Sequence, residues 1–368
     1  MQSIRVLLLT PDFPPSTGGI QVVMHRLVQH AQRLEIRVVT RGSSGAAQFD
    51  RREGLDVLRA GKADGGPASH LAMNARALLE APRFRPGAVL SGHLVASPAA
   101  RAIGRLARVP VIQYVHADEL RMDRRLVGLA VRSDAMVAVS AFTEQLVLDA
   151  GADRARTHRI PNGVDPPETR RTERALRPTL VTVARLEDRY KGHDILIRAL
   201  PLVRERVPDV QWVVVGDGSL RPELERQAAE AGVADAVRFL GAVTDAERDA
   251  ALDGAHVFAM PSRLPPGGVG GEGFGIVYLE AAAHGLPVVA GAVGGALDAV
   301  VDGNTGLLVD PEDVAAVAQA ISGLLLDPGR ARQLGDAGAQ WARAFAWPVI
   351  ARQVEDLVLD LAAGFRRR

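Results

Sequence analysis

A chain of 368 residues, 47% of them hydrophobic, exceeds what one hydrophobic core usually supports, so two domains are expected. Forty-four Lys and Arg against 43 Asp and Glu leave no global basic field, which argues against nucleic-acid binding and favours a small-molecule substrate. The absence of cysteine excludes disulfides, thiolate zinc sites and a cysteine nucleophile together.

The apolar run Ile4 to Leu9 is too short for a signal sequence core or a membrane span and is followed by Pro11 and Pro14. It reads as the first strand of a cytoplasmic protein. Short Val/Ile/Leu-rich runs then alternate with helix-period segments, the pattern of a parallel sheet covered by helices on both faces. In the first half strands are expected over 4–10, 35–40, 55–60, 88–93, 109–116 and 135–140. The second half repeats the scheme over 179–186, 210–218, 237–243, 257–262, 287–295 and 305–310. The fold class is therefore α/β, with two Rossmann-like doubly wound domains facing a cleft.

Between the halves, PNGVDPPETRRTERALRP (161–178) combines prolines, an Asn-Gly turn and charges that exclude a continuous core element. The expected division is a first domain over 1–165, a hinge over 166–178 and a second domain over 179–348. After residue 311 the pattern is helical only. Trp347-Pro348 breaks it, and a last amphipathic segment (349–368) is expected to return to the first domain, ending in the basic tail Phe365-Arg366-Arg367-Arg368.

Ligands of such sheets bind beyond the carboxyl ends of the strands, so the loops there carry the candidates. After the first strand, PDFPPSTGGIQVV sets Gly18 and Gly19 before a helix beginning near Ile20, where bare backbone amides and the helix terminus suit an anion. A tight turn explains the same glycines. Asp12 in that loop is a candidate for orienting an acceptor hydroxyl. His116, with Asp118 and Glu119 behind it, puts an imidazole and carboxylates at the end of the strand VPVIQYVH, although a lone histidine is often structural. In ARLEDRYKGHDIL, Arg185 and Lys191 flank the loop after the first strand of the second half and together neutralise a diphosphate, or are solvated surface charges. The segment PSRLPPGGVGGEGFGIVYLEAAAHGLPVV delivers Glu272 from a Gly/Pro-rich loop, opens a helix with Gly273-Phe274-Gly275, and carries Glu280 eight residues on. Acidic residues also favour helix N-termini, but that leaves the glycine-rich run before Glu272 unexplained.

These motifs resemble, over essentially the whole length, a retaining glycosyltransferase of family 4 with the GT-B architecture. Gly18-Gly19, His116, PNGVD (161–165), Arg185 with Lys191, Gly-Asp-Gly (216–218) and the Glu272/Glu280 pair carry the likeness. TPDFPPSTGGIQ and RLPPGGVGGEGFGIVYLEA are most similar to the mannosyltransferases that elaborate phosphatidylinositol mannosides. The resemblance implies a metal-independent enzyme that moves a hexose from a nucleotide diphosphate sugar, GDP-mannose being favoured, to a hydroxyl of an acceptor that is lipid-linked or inositol-containing. It assigns Arg185 and Lys191 to the donor diphosphate, Glu280 to the ribose and Glu272 to the transferred sugar. The amides of Phe274, Gly275 and Ile276 join the donor site, with Gly18 and Gly19 at its phosphate. His116 lies near the reacting carbon, and the base lies against Gly241 to Val243. Asp12 and Glu119 fall on the acceptor side. The family's usual glycine after the histidine is Ala117 here.

No cofactor beyond the nucleotide sugar is implied. An Asp-x-Asp pair for a divalent ion is missing, so the positive charge must come from protein. The alternatives are a UDP-sugar transferase acting on a soluble or polysaccharide acceptor, an epimerase or phosphorylase of the same architecture, and a non-catalytic sugar-binding module. Arg101, Arg105 and Arg108 in RAIGRLARVP, with Arg121, Arg124 and Arg125 in RMDRR, suggest a weak peripheral contact with anionic lipid at the inner membrane face. A solvated helix face explains the same arginines.

Overall fold

The computed structural model describes residues 3–62, 66–167 and 173–366. The chain divides into two units, one comprising 1–163 with 347–368, the other 164–346. Both are doubly wound parallel α/β layers, as the alternating pattern predicts. Part of the expected hinge (168–172) and the tail residues Arg367 and Arg368 lie outside the described residues.

The first unit alternates β1 (Ile4–Leu9), α1 (Gly19–His30), β2 (Leu34–Arg41), α2 (Ala46–Glu53), β3 (Val57–Ala60), α3 (Pro67–Phe84), β4 (Ala88–Ser91) and α4 (Ser97–Ala107). It continues with β5 (Val111–Val115), α5 (Arg124–Ala130), β6 (Ala135–Ala138), α6 (Ala141–Asp149) and β7 (Thr157–Arg159). The strands run parallel in the order β3-β2-β1-β4-β5-β6-β7. Val6 to Leu9 and all of β4, β5 and β6 are buried, because helices cover both faces. β7 escapes a pattern reading: Thr-His-Arg has no apolar residue, and only pairing with β6 makes it a strand.

The second unit contains β8 (Thr179–Val183), α7 (His193–Arg206), β9 (Gln211–Val215), α8 (Arg221–Glu230), β10 (Val237–Gly241), α9 (Asp245–Gly254), β11 (Val257–Met260) and α10 (Ile276–Ala283). β12 (Val288–Gly291), α11 (Ala296–Ala299), β13 (Gly306–Val309), α12 (Val314–Leu326) and α13 (Pro328–Ala342) complete it. Its parallel order is β10-β9-β8-β11-β12-β13. Trp212 is fully buried in the core and donates its indole N–H to Thr182 Oγ1 (2.9 Å), which donates to the Ala259 carbonyl (2.6 Å). Every polar atom of that chain is satisfied, as burial requires.

The last helix, α14 (Trp347–Arg366), belongs to the first unit. Trp347-Pro348 opens it rather than preceding it. Its buried Glu355 accepts the backbone N–H of Gln32 (2.6 Å) and the Arg33 Nε (3.0 Å), closing the chain that leaves α1. Gly163 lies so close to the Trp347 ring that a Cβ would sit 2.4 Å from it.

In each sheet the strand order reverses once, between β1 and β4 and between β8 and β11. A ligand crevice opens outside the carboxyl ends of strands at such a reversal. Asp12, Gly18 and Gly19 follow β1, and Arg185 and Lys191 follow β8, while Glu272 follows β11.

Candidate functional site

In the second unit, the loops after β8 and β9 are pressed together: Leu186 N–H donates to the Asp217 carbonyl (2.9 Å). A Cβ on Gly216, at φ +130°, would stand 1.9 Å from the Ala184 carbonyl. Only glycine permits that approach. Arg185 emerges from this junction 62% exposed, with Asp188 3.7 Å away. Lys191 ends a short 3-10 turn (Arg189–Lys191) stopped by Gly192 in the left-handed region. Its Nζ meets Glu272 Oε2 at 2.6 Å, with both side chains mostly buried. The pair predicted as separate donor contacts is thus held in one ion pair.

The loop leading to Glu272 passes through Gly267, Gly268, Gly270 and Gly271, all at positive φ. α10 starts at Ile276, later than the sequence suggests, because Gly275 is its left-handed cap (φ 87°) and a Cβ there would strike the Tyr278 ring. The first amides of a helix have no intrahelical partner, so Ile276 N–H belongs to the donor end of α10. The Phe274 side chain itself is buried against Phe345, ring centroids 5.8 Å apart, leaving only its backbone for a ligand. Glu280 lies in the second turn of α10, half-buried; desolvation holds its carboxyl above the ordinary range, opposed by the Arg248 guanidinium. Gly241, at φ 74°, ends β10 and accepts the Gly216 N–H (2.9 Å), with half-buried Val243 following.

Two contributors here were not legible. Gly295 donates its N–H to the Glu272 carbonyl (2.8 Å), and a Cβ on it would stand 2.3 Å from the Gly273 carbonyl. The expected strand 287–295 ends at Gly291 for this reason, its second half being a loop folded against Glu272–Phe274. Arg248, on α9, had no motif to mark it.

In the first unit, Thr10 Oγ1 accepts the Asp12 N–H (3.1 Å), and Asp12 Oδ1 accepts from Gln21 Nε2 (3.1 Å) with Arg41 Nη2 3.8 Å away. Gly18 stands at φ 154°, against Gln21. Gly19 opens α1, and a Cβ on it would meet no protein atom within 4 Å. Internal packing therefore does not require that glycine.

His116 follows β5. Its ring makes a backbone hydrogen bond to Gly92, its Nε2 is buried without a protein partner, and desolvation pushes its pKa down to about 3. His93, after β4, uses Nδ1 to accept the Val95 N–H (3.2 Å) and is also held below the usual range by burial. Glu119 is 4% exposed; its Oε1 accepts the His116 N–H at 2.6 Å, and burial pushes its carboxyl up to about 7. Through Oε1, Glu119 ties down the turn that carries His116, while its buried Oε2 has no protein partner. Ala117 sits between them at φ 105° and ψ −58°, a conformation that favours glycine.

The basic cluster of α4 is corrected. Arg101 spends its guanidinium on the Arg132 carbonyl. Arg108 is not on the helix but is its left-handed cap (φ 55°), and Ile103 is buried while Leu106 is 83% exposed. Arg108 therefore falls outside the helix face that Arg101 and Arg105, four residues apart, share. Arg121, Arg124 and Arg125 are exposed, with Asp123 capping α5 through the Arg125 N–H (2.7 Å). Among the described residues no group of three His, Cys, Asp or Glu is placed to hold a metal, and no helix is long and apolar enough to cross a membrane.

The profile of glycosyltransferase family 4 matches residues 17–168, and that of glycosyl transferases group 1 matches 177–327. The GDP-mannose-dependent alpha-(1-6)-phosphatidylinositol monomannoside mannosyltransferase of Mycolicibacterium smegmatis is 37% identical, over 92% of this chain and 93% of its own. A GDP-mannose-dependent monoacylated alpha-(1-6)-phosphatidylinositol monomannoside mannosyltransferase of Corynebacterium glutamicum is 31% identical over 97% and 98%. Among solved structures, HepE of Anabaena in complex with UDP and glucose superposes with a TM-score of 0.81 at 23% identity, covering 97% of this chain and 100% of that one. With such identity sustained over nearly the whole of both chains, and with strand-end loops carrying the expected motifs, the chain is a glycosyltransferase of family 4 with the GT-B fold.

Proposed function

We propose that this chain transfers mannose from GDP-mannose to a hydroxyl of an inositol-containing, lipid-linked acceptor, with retention and without a metal ion. The observation that carries the reading is the likeness, along the whole chain, to two mannosyltransferases with that donor and a phosphatidylinositol mannoside acceptor. Arg185, Lys191 and the amides of Phe274, Gly275 and Ile276 take the charge of the donor diphosphate, work that a divalent ion does elsewhere. Glu280 accepts the ribose hydroxyls, the base lies along Gly241 to Val243, and Glu272 orients the mannose. Gly18 and Gly19 admit the phosphate to bare backbone. His116, neutral at ordinary pH, offers Nε2 to a sugar hydroxyl near the reacting carbon. Asp12 orients the acceptor. The bond from the anomeric carbon to the phosphate oxygen breaks, the acceptor oxygen bonds that carbon on the same face, and its proton passes to the leaving phosphate oxygen.

A lipid-linked acceptor calls for a membrane-facing surface, and α3 supplies a better one than α4 alone. Leu71 (72% exposed), Leu78 and Leu79 (63%) line its outer side, α4 packs beside it with Leu106, and Arg83, Arg85 and Arg105 are exposed around them. Apolar side chains ringed by arginine suit anionic lipid. The reading proposed here is of a cytoplasmic protein, peripheral at the inner membrane face.

The test is transfer from GDP-mannose, UDP-glucose and other nucleotide sugars to an inositol-lipid acceptor in anionic vesicles, with excess EDTA. Mannose transfer that survives EDTA and is lost when Leu71 and Leu79 become Glu supports the reading. Preference for a UDP-sugar, or dependence on added manganese, removes it; undiminished use of the vesicle-borne acceptor by the variant removes the membrane surface alone.

A further inference from the structure

Both ends of the glycine-rich loop are fastened to the same short segment, residues 190–194. At the near end, Arg263 N–H donates to the Tyr190 carbonyl (2.8 Å), and a Cβ on Gly192 would stand 2.3 Å from the Pro261 carbonyl. The Arg263 guanidinium meets Asp194 with two parallel bonds, Nη1 to Oδ1 at 3.0 Å and Nη2 to Oδ2 at 2.9 Å, with Glu312 Oε1 3.8 Å from its Nε. At the far end stands the Lys191–Glu272 pair. Between them, four glycines at positive φ give the backbone no preferred course of its own.

We infer that Arg263 is a positioning residue, which acts through its bidentate bond to Asp194 to hold the loop so that Glu272 stays in place when Lys191 turns its charge to the donor diphosphate. The inference rests on the roles proposed above for Lys191 and Glu272. A free carboxylate explains Asp194 at the start of α7 equally well by favouring the helix N-terminus, but it does not explain an arginine bound to it in fork geometry. Both side chains are 20–30% exposed, so the pair adds little to global stability. Its effect belongs in turnover.

The experiment compares Arg263→Ala, Arg263→Lys, Asp194→Asn, the double variant Arg263→Ala with Asp194→Asn, and the exchange Arg263→Asp with Asp194→Arg, measuring kcat, KM for the donor, and the Kd of GDP alone. Lys keeps the charge and loses the fork, so it guards against a variant that merely folds poorly. Arg263→Ala is expected to lower kcat by about 10-fold or more while GDP affinity stays within about twofold, and the exchange to recover part of the loss. An unchanged kcat in Arg263→Ala overturns the inference, as does a loss of kcat that is additive with Asp194→Asn. Glu272→Gln in the same assay separates the two readings: if it leaves kcat intact, the role of Glu272 fails and the inference with it; if it lowers kcat and the Arg263 variants do not, only the inference fails.

Discussion

In the second unit, Lys191 and Glu272 form an ion pair at 2.6 Å, and Arg185 is 62% exposed with Asp188 3.7 Å away. At the corresponding strand ends of the first unit, burial keeps His116 neutral down to about pH 3 and holds Glu119 protonated up to about 7. The two sheets share a topology and a crevice position, yet the strand ends of one carry an ion pair and an exposed guanidinium, while at His116 and Glu119 of the other burial disfavours charge. The function proposed above puts the leaving diphosphate in the first environment. Neutral sugar hydroxyls need the second, where hydrogen bonding without a full charge avoids the cost of burying an ion. Fold therefore sets where chemistry occurs, and local desolvation sets which chemistry.

Removing the charges of the second unit should have the largest effect. Arg185→Ala and Lys191→Ala are each expected to lower turnover roughly 100-fold or more, from about 3 kcal/mol of lost transition-state stabilisation. Steady-state kinetics with thermal melting checks this. Arg185→Ala should melt like the wild type, because that side chain is exposed, whereas Lys191→Ala should also lose stability by leaving the Glu272 carboxylate unpaired. Near-normal turnover in both would erase the contrast between the units.

On the first unit's side, Gly19→Ala isolates ligand approach from packing, since a Cβ there touches nothing in the protein. Turnover should fall by about 10-fold or more, while Tm stays the same or rises slightly, Ala being the better helix residue. A parallel loss of Tm would mean that packing, not backbone access, requires this glycine.

Glu119 gives a pH signature. Its folded pKa of about 7 lies above the ordinary 4.5, so the stability it contributes is complete below 4.5 and is lost as pH rises through 7. Glu119→Gln, which keeps an acceptor for the His116 N–H, should gain on the wild type across that interval by up to about 3 kcal/mol. Denaturant melts at pH 5 and pH 8 measure it; an equal difference at both would show that Glu119 is not held protonated. The smallest effect is expected from Ala117→Gly. Relief of the φ 105° backbone should outweigh the added chain entropy by about 1 kcal/mol, raising Tm with turnover unchanged.

Much of this protein is decided by short-range pattern. Apolar runs of four to eight residues alternating with helix-period stretches were sufficient for two doubly wound sheets, because a strand buried on both faces must be continuously apolar. The loops at their carboxyl ends could be named for the same reason, and Arg185, Lys191 and Glu272 fall there, with Glu280 on the helix that follows. Their proximity could not be read: Lys191 and Glu272 are 81 positions apart, and the contacts of Tyr190, Gly192 and Asp194 with Pro261 and Arg263 bring their segments together. The same holds for β7, which lacks any apolar residue, and for the bond from the His116 amide to Glu119 Oε1, which no spacing announced. Gly295 read as strand until its contact with Gly273 made it loop. Arg108 read as helix face, but α4 stops before it. Sequence periodicity reports which side of an element is buried; it carries no term for what is buried against it. Pairing, desolvation and the ends of elements depend on distant neighbours, so the tertiary structure alone decided them.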